Sequence, residues 1–237
     1  MKIAVCISGA DRCFQFVVDE LIKNIIEPLN ADVFIHAWDS NSFSDRFSKN
    51  DSNEEIYKKI SKKYEIEKFD SNWNFINANK PRNIVPMFYS IYKSFSLVPD
   101  DYDIVIRSRF DALYTNKFIL PKIKKNHVYV QLSGLNKGRF AARRNFIHEG
   151  TSNLKFVADN FAIGDYYSMQ KYCTTYLNLN NLKTFLPETC LAEQLDNNNI
   201  KYEFLDELNY MALSFKENNN IIFESDYLEK KSLIYNF

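Results

Sequence analysis

The opening strand–helix–strand pattern constrains the fold more than any other stretch. Residues 2–7, KIAVCI, are apolar after the lysine, as a strand buried on both faces would be. Ser8-Gly9-Ala10-Asp11 reads as a turn. Apolar residues then fall at 14, 17, 18, 21, 22, 25 and 26, which is one stripe of a helix. Pro28-Leu29-Asn30 stops that helix, and residues 32–37, DVFIHA, form a second apolar run. Such a β-α-β unit closes with a right-handed crossover and makes its strands parallel neighbours.

The same alternation continues. Residues 40–53 and 70–83 are Asn/Ser-rich and read as loops, with a charged helix at 54–63 and a short strand at EIEKF between them. A helix over 86–97 starts at Pro86 and puts Phe88, Ile91, Tyr92 and Phe95 on one face. Strands are expected at 103–107, 127–132, 156–163 and 200–205, and helices at about 166–177 and 187–196. Residues 133–153 look like a long loop, and the tail to Phe237 has no clear pattern. The expected fold is α/β, a single Rossmann-like domain over 1–237 with a mostly parallel central sheet flanked by helices.

Composition narrows the function classes. Lys+Arg and Asp+Glu balance at 30 each, which argues against a nucleic-acid partner. Four cysteines without CxxC spacing and only three histidines argue against structural zinc. Cys6 sits in an apolar strand pattern, and a buried free thiol fits a reducing compartment. No apolar stretch approaches the roughly 20 residues needed to span a bilayer, and Asp11 and Arg12 come too early for a signal peptide. These features lead to the expectation of a cytoplasmic protein without a transmembrane segment, able at most to dock on a membrane face.

Ligands of such sheets bind beyond the carboxyl ends of the strands. That rule selects Ser8–Arg12, His36–Asp39, Arg107–Asp111 and Asp159–Asp165. In extended chain, Arg107, Arg109 and Asp111 point the same way. Two guanidiniums suit phosphate oxygens, and a carboxylate suits a hard divalent cation, Mg²⁺ or Mn²⁺. The competing reading is an Arg–Asp ion pair capping the strand. Gly9 permits close backbone approach to a ligand, and Arg12 follows it. Neither G-x-G-x-x-G nor G-x-x-x-x-G-K-[ST] occurs, so a dinucleotide fingerprint and a P-loop are disfavoured. A lone histidine such as His36 is more often a core residue than a ligand. Trp38 either packs or stacks on a base or sugar. Asp159 interrupts an apolar strand pattern, which is costly unless it is paired or functional. Glu188 is either a first-turn acid favoured by the helix dipole or a base facing a bound hydroxyl. Lys93 is either solvated or reaches a phosphate. The 133–153 loop carries Lys137, Arg139, Arg143 and Arg144 against Glu149, the composition of a lid over an anion or of a mobile surface loop.

The order of segments also resembles a known family. ISGADR after the first strand is followed by ADVFIHAWDS, YSIYKS, YDIVIRSRFD, ADNFAIGD and PETCLAEQL. Over about residues 1–205 this is similar to WavE-type lipopolysaccharide synthesis proteins and to chlorella-virus glycosyltransferases of the GT-A fold. The resemblance implies a GT-A-like nucleotide-sugar-binding sheet, with residues 1–120 as the nucleotide-sugar part and 121–237 as the acceptor side. It implies that Ser8, Gly9 and Arg12 hold the nucleotide. Asp111 stands where the family's metal-binding D-x-D motif lies, but Ala112-Leu113 follow it and no second aspartate does. Arg107 and Arg109 would then take part of the phosphate charge, with Lys93 near them. Asp159 or Glu188 would be the catalytic base. The implied activity is transfer of a sugar from a nucleotide-diphosphate sugar to a hydroxyl of a glycan or lipid-linked acceptor. Two rivals remain: a non-catalytic nucleotide-sugar or glycan-binding module, and a phosphate-handling hydrolase or nucleotidyltransferase.

Overall fold

The computed structural model describes residues 1–11, 14–39, 53–69, 84–131, 157–205, 210–216 and 220–223. Strand β1 (Ile3–Ala10), helix α1 (Phe14–Leu21) and strand β2 (Asp32–Trp38) make the opening unit. Helix α2 (Glu54–Ile60), β3 (Lys63–Glu67), α3 (Ile84–Ser96) and β4 (Ile104–Arg109) follow. Then come β5 (Ala112–Tyr114), β6 (His127–Gln131), β7 (Ala162–Asp165), α4 (Tyr166–Cys173), α5 (Thr175–Asn178), α6 (Pro187–Asn197) and β8 (Lys201–Leu205). Strands β9 (Tyr210–Lys216) and β10 (Asn220–Phe223) close the described chain.

Seven strands form one sheet in the order β3-β2-β1-β4-β7-β6-β8. The first four are mutually parallel. Strand β7 runs antiparallel to both β4 and β6, and β8 is parallel to β6. The fold is therefore α/β with a mixed, mostly parallel sheet flanked by helices. A second sheet, β10-β9-β5, had no counterpart in the sequence pattern. Among the described residues no helix is long and apolar enough to cross a membrane.

Alternation along the strands sorts the core into two layers. Ala4, Cys6, Phe34 and Val105 face a cluster with Phe88, Ile91 and Phe95 of α3 and Met169, Tyr172 and Cys173 of α4. Ile3, Val5, Ile7, Ile35 and Ile106 face the opposite cluster with Phe14, Val17 and Leu21 of α1. Helices α1 and α3 thus cover opposite faces. Strand order reverses between β1 and β4, and the crevice at their carboxyl ends is the place where this architecture takes ligands.

Several boundaries moved. Strand β1 runs through Ala10, so Ser8 and Gly9 are strand residues paired with His36 and Ala37, not a turn. The β1–β4 ladder ends at Ser8↔Arg109, two residues before the β1–β2 ladder ends at Ala10↔Trp38. The two central strands therefore part just where β1 turns. Helix α1 passes into a π turn, Ile22–Ile26, which aims Asn24 inward to donate to Tyr114 O at 2.7 Å and ties the helix to β5. Helix α3 begins at Ile84, before Pro86. The expected 166–177 helix breaks at Thr174 into α4 and α5. The expected 156–163 strand is the largest correction. Residues 157–161 are not strand, and β7 starts at Ala162. The apolar run is there because Val157, Ala158 and Phe161 are buried, which a bend achieves as well as a strand.

Candidate active site at the carboxyl edge

Register places the candidates in a row. Strand pairing aligns Glu65 of β3 with His36 of β2, His36 with Ser8 of β1, and Ser8 with Arg109 of β4. One step lower, Cys6 pairs with Arg107. By alternation Ser8 shares the face of Ala4 and Cys6, and Arg107 and Arg109 share the face of Val105. The row lies on the α3–α4 side, at the crevice.

Ser8 and Arg107 are both 2% exposed. The Ser8 Oγ and the Arg107 Nε are buried without a hydrogen-bond partner among the described residues. Arg107 makes one long bond, from Nη1 to Asn160 O at 3.4 Å. A guanidinium taken out of water without a carboxylate costs several kcal/mol. Two orphaned donors on adjacent strands are what an anion entering the crevice would satisfy.

Gly9 has φ +125°, a backbone that side-chain-bearing residues avoid. Among the described residues nothing lies within 4 Å of where its Cβ would be. Conformation, not crowding, demands glycine here, and space opens beside it. Its N–H donates to Ser90 Oγ at 2.9 Å.

Arg109 and Asp111 adopt the ion pair that was the competing reading. Arg109 Nε donates to Asp111 Oδ1 at 2.8 Å and Nη2 to Oδ2 at 2.6 Å. Between them Phe110 turns into the opposite core, its ring 5.0 Å from that of Phe14. That anchor brings residues 109 and 111 together across the strand end. The pairing bears on the cation expected at Asp111. Both carboxylate oxygens face a guanidinium, which repels a second positive charge, and among the described residues no group of three acidic, His or Cys side chains could hold a metal. The residues here do not fit a divalent cation.

The segments that carry the two candidate bases are tied together at the backbone. Val157 N–H donates to Glu188 O at 3.0 Å, tying the 157–161 bend to the start of α6. Tyr172 Oη donates to Ala158 O at 2.9 Å. Burial pushes the Tyr172 hydroxyl far above the ordinary tyrosine range; Arg107 pulls it back, while Asp159 and Glu188 push it up again. Tyr172 thus feels Arg107 and both carboxylates at once. Glu188 lies in the first turn of α6, where the helix dipole favours it.

Lys93 does not face open solvent. Its Nζ lies 2.9 Å from Glu65 and 3.0 Å from Glu67. Burial alone would lower its pKa, but the two carboxylates overcome that and raise it. It belongs to the β3 side of the row, two strands away from Ser8. Trp38 is buried and stacks on Tyr89 with centroids 5.5 Å apart, so packing accounts for it. Arg12 and the basic 133–153 loop lie outside the described residues.

No family model matches the chain, and a search of curated proteins finds no match.

Two groups at this edge escaped the sequence reading. Asp11, at the end of β1, accepts from Asn53 Nδ2 at 2.8 Å and from the buried Tyr57 hydroxyl. Burial pushes Asp11 up against those two hydrogen bonds. The second group is Ser90–His36–Glu67. His36 Nδ1 lies 2.8 Å from Ser90 Oγ and Nε2 lies 3.5 Å from Glu67 Oε1. The composition is that of a hydrolase triad, but Ser90 is fully buried mid-helix and no substrate reaches it. Its signal in the sequence was two serines four apart, at 90 and 94, beside the apolar stripe of α3.

Proposed function

We propose that this chain is a glycosyltransferase that moves a sugar from a nucleotide-diphosphate donor to a hydroxyl of a glycan or lipid-linked acceptor. One observation carries the reading: two buried, unsatisfied donors, Ser8 Oγ and Arg107 Nε, stand at the crevice where strand order reverses. A diphosphate supplies the acceptors those groups lack.

In this reading Arg107 and Arg109 offset the charge that grows on the diphosphate as the bond between sugar carbon and phosphate oxygen breaks. The acceptor hydroxyl forms the new bond to that carbon and gives its proton to a carboxylate. Asp159 is the stronger choice, because among the described residues it makes no hydrogen bond or ion pair and its charge acts on the Tyr172 hydroxyl, as that of Arg107 does. Ordered proton removal of this kind is worth roughly 10²–10⁴ in rate. The reaction implies a cytoplasmic donor pool.

Calorimetry with UDP- and GDP-sugars, in EDTA and then in Mn²⁺, tests the donor. Release of free nucleotide with and without acceptor tests transfer. Binding in EDTA and release that falls at least a hundredfold in Asp159→Asn are expected; no binding of either donor refutes the reading. A second reading has its own support. The closed Arg109–Asp111 pair suits a nucleotide-sugar-binding module, and donor binding without turnover by any acceptor would select it.

A further inference from the structure

Behind the β1 end runs a buried polar chain that sugar transfer does not use. The Gly9 amide donates to Ser90 Oγ at 2.9 Å, and His36 Nδ1 lies 2.8 Å from that same oxygen. Ser90 and His36 are both 0% exposed. Charged and titratable groups face His36 from two elements. From β3 come Glu67, with Oε1 at 3.5 Å from Nε2, and Glu65, its pairing neighbour. From α3 come Lys93, which bridges both carboxylates, and Tyr89, whose hydroxyl donates to Glu67 at 3.1 Å. On the other side His36 pairs with Ser8, and beyond it stands Arg109.

A serine hydroxyl has one proton to give and two lone pairs. With His36 neutral, the nearby Glu67 carboxylate favours the proton on Nε2. Nδ1 is then an acceptor, so Ser90 donates to it and accepts from Gly9. With His36 charged, Nδ1 becomes a donor. Ser90 must then turn its proton to the backbone oxygen of His36, 3.3 Å away, and accept from both Gly9 and Nδ1. One proton on a buried ring therefore reverses a hydrogen bond and makes the Gly9 amide share its acceptor. That amide belongs to the one residue of β1 with a left-sided φ, beside open space.

We propose that His36 and Ser90 are proton-linked positioning residues, which set the Gly9 amide and with it the end of β1 that lines the crevice. The relay stands on these contacts alone and holds whichever ligand the crevice takes.

The test needs no ligand. The chain has five glycines, so selective ¹⁵N-glycine labelling gives a spectrum simple enough to assign. The Gly9 amide and the His36 ring nitrogens are followed together between about pH 4 and pH 9. Expected is one shared midpoint in the unaltered protein, loss of the Gly9 titration in Ser90→Ala while His36 still titrates, and its return in Ser90→Thr. A flat Gly9 signal while His36 titrates overturns the proposal, as does a His36 that never titrates in the folded protein. A Gly9 titration that survives in Ser90→Ala also overturns it. Should Ser90→Ala not fold, the unaltered protein and His36→Asn decide, since a Gly9 titration that persists without His36 is equally fatal. None of these outcomes depends on sugar transfer.

Discussion

Replacing Glu67 by glutamine removes one charge from the partly buried His36–Glu67–Lys93 cluster and should destabilise the fold in a pH-dependent way. The carboxyl is pushed up by burial, but the His36 ring and the Lys93 ammonium beside it win and hold it at about 2, against an ordinary 4.5. At about 1.4 kcal/mol per tenfold, that gap is worth about 3 kcal/mol. Lys93 is a quarter exposed, so solvent screening takes roughly half, leaving about 1.5–2 kcal/mol. A carboxyl depressed by folding stabilises above its unfolded pKa, and that gain is lost as pH falls through its folded pKa. The loss in Glu67→Gln should therefore be full above about pH 5.5. With the shift halved in the same way, roughly 55–60% of it should remain at pH 4 and about 15% at pH 3. Glutamine keeps an acceptor for Tyr89, so the change isolates the charge. Urea unfolding from pH 7 to pH 3 measures it, and at pH 7 the Tm should fall by about 3–8 °C. A loss equal at pH 7 and pH 3 would refute the electrostatic account, and no loss at pH 7 would show the cluster to be fully screened.

Three further substitutions bear on the crevice and the sheet. Arg107→Met removes a buried charge with one long bond, so the ligand-free Tm should hold or rise, while stabilisation by UDP or GDP in thermal shift should vanish; a fall of several degrees without ligand would make Arg107 structural. Gly9→Ala and Gly9→Ser should each cost about 1–3 kcal/mol in urea unfolding, and by the same amount, because φ +125° sets the cost and the space is open. Gly164→Ala meets a different obstacle, with His127 O at 2.7 Å from the added Cβ. About 1–3 kcal/mol is expected for alanine and more for valine, and a neutral Gly164→Ala would show that β6 and β7 separate easily.

Local pattern carried much of the architecture. Periodicity located β1, α1, β2, α3, α6 and β8 within a few residues, since each buries one stripe or both faces. The 157–161 bend was misread because burial, not extension, selects its apolar residues. Strands β9 and β10 were missed because their pairing with each other and with β5 links segments far apart in sequence. At the site, alternation put Arg107 and Arg109 on one face. It left open whether Arg109 would face a ligand or Asp111, because the turn of Phe110 into the opposite core makes that choice.

The sequence by itself determined a parallel β-α-β start, an α/β class and a basic strand end at the carboxyl edge of the sheet, because these follow from short-range spacing. Tertiary structure alone decided which donors stay unsatisfied and which find partners. Arg107, packed beneath α4, ended with one long bond to Asn160 O and no carboxylate in ion-pair range among the described residues. Ser90, 54 residues from His36, met it and Gly9 only because α3 packs across the sheet at that height. Such meetings depend on how layers stack, and stacking leaves no periodic trace in the chain.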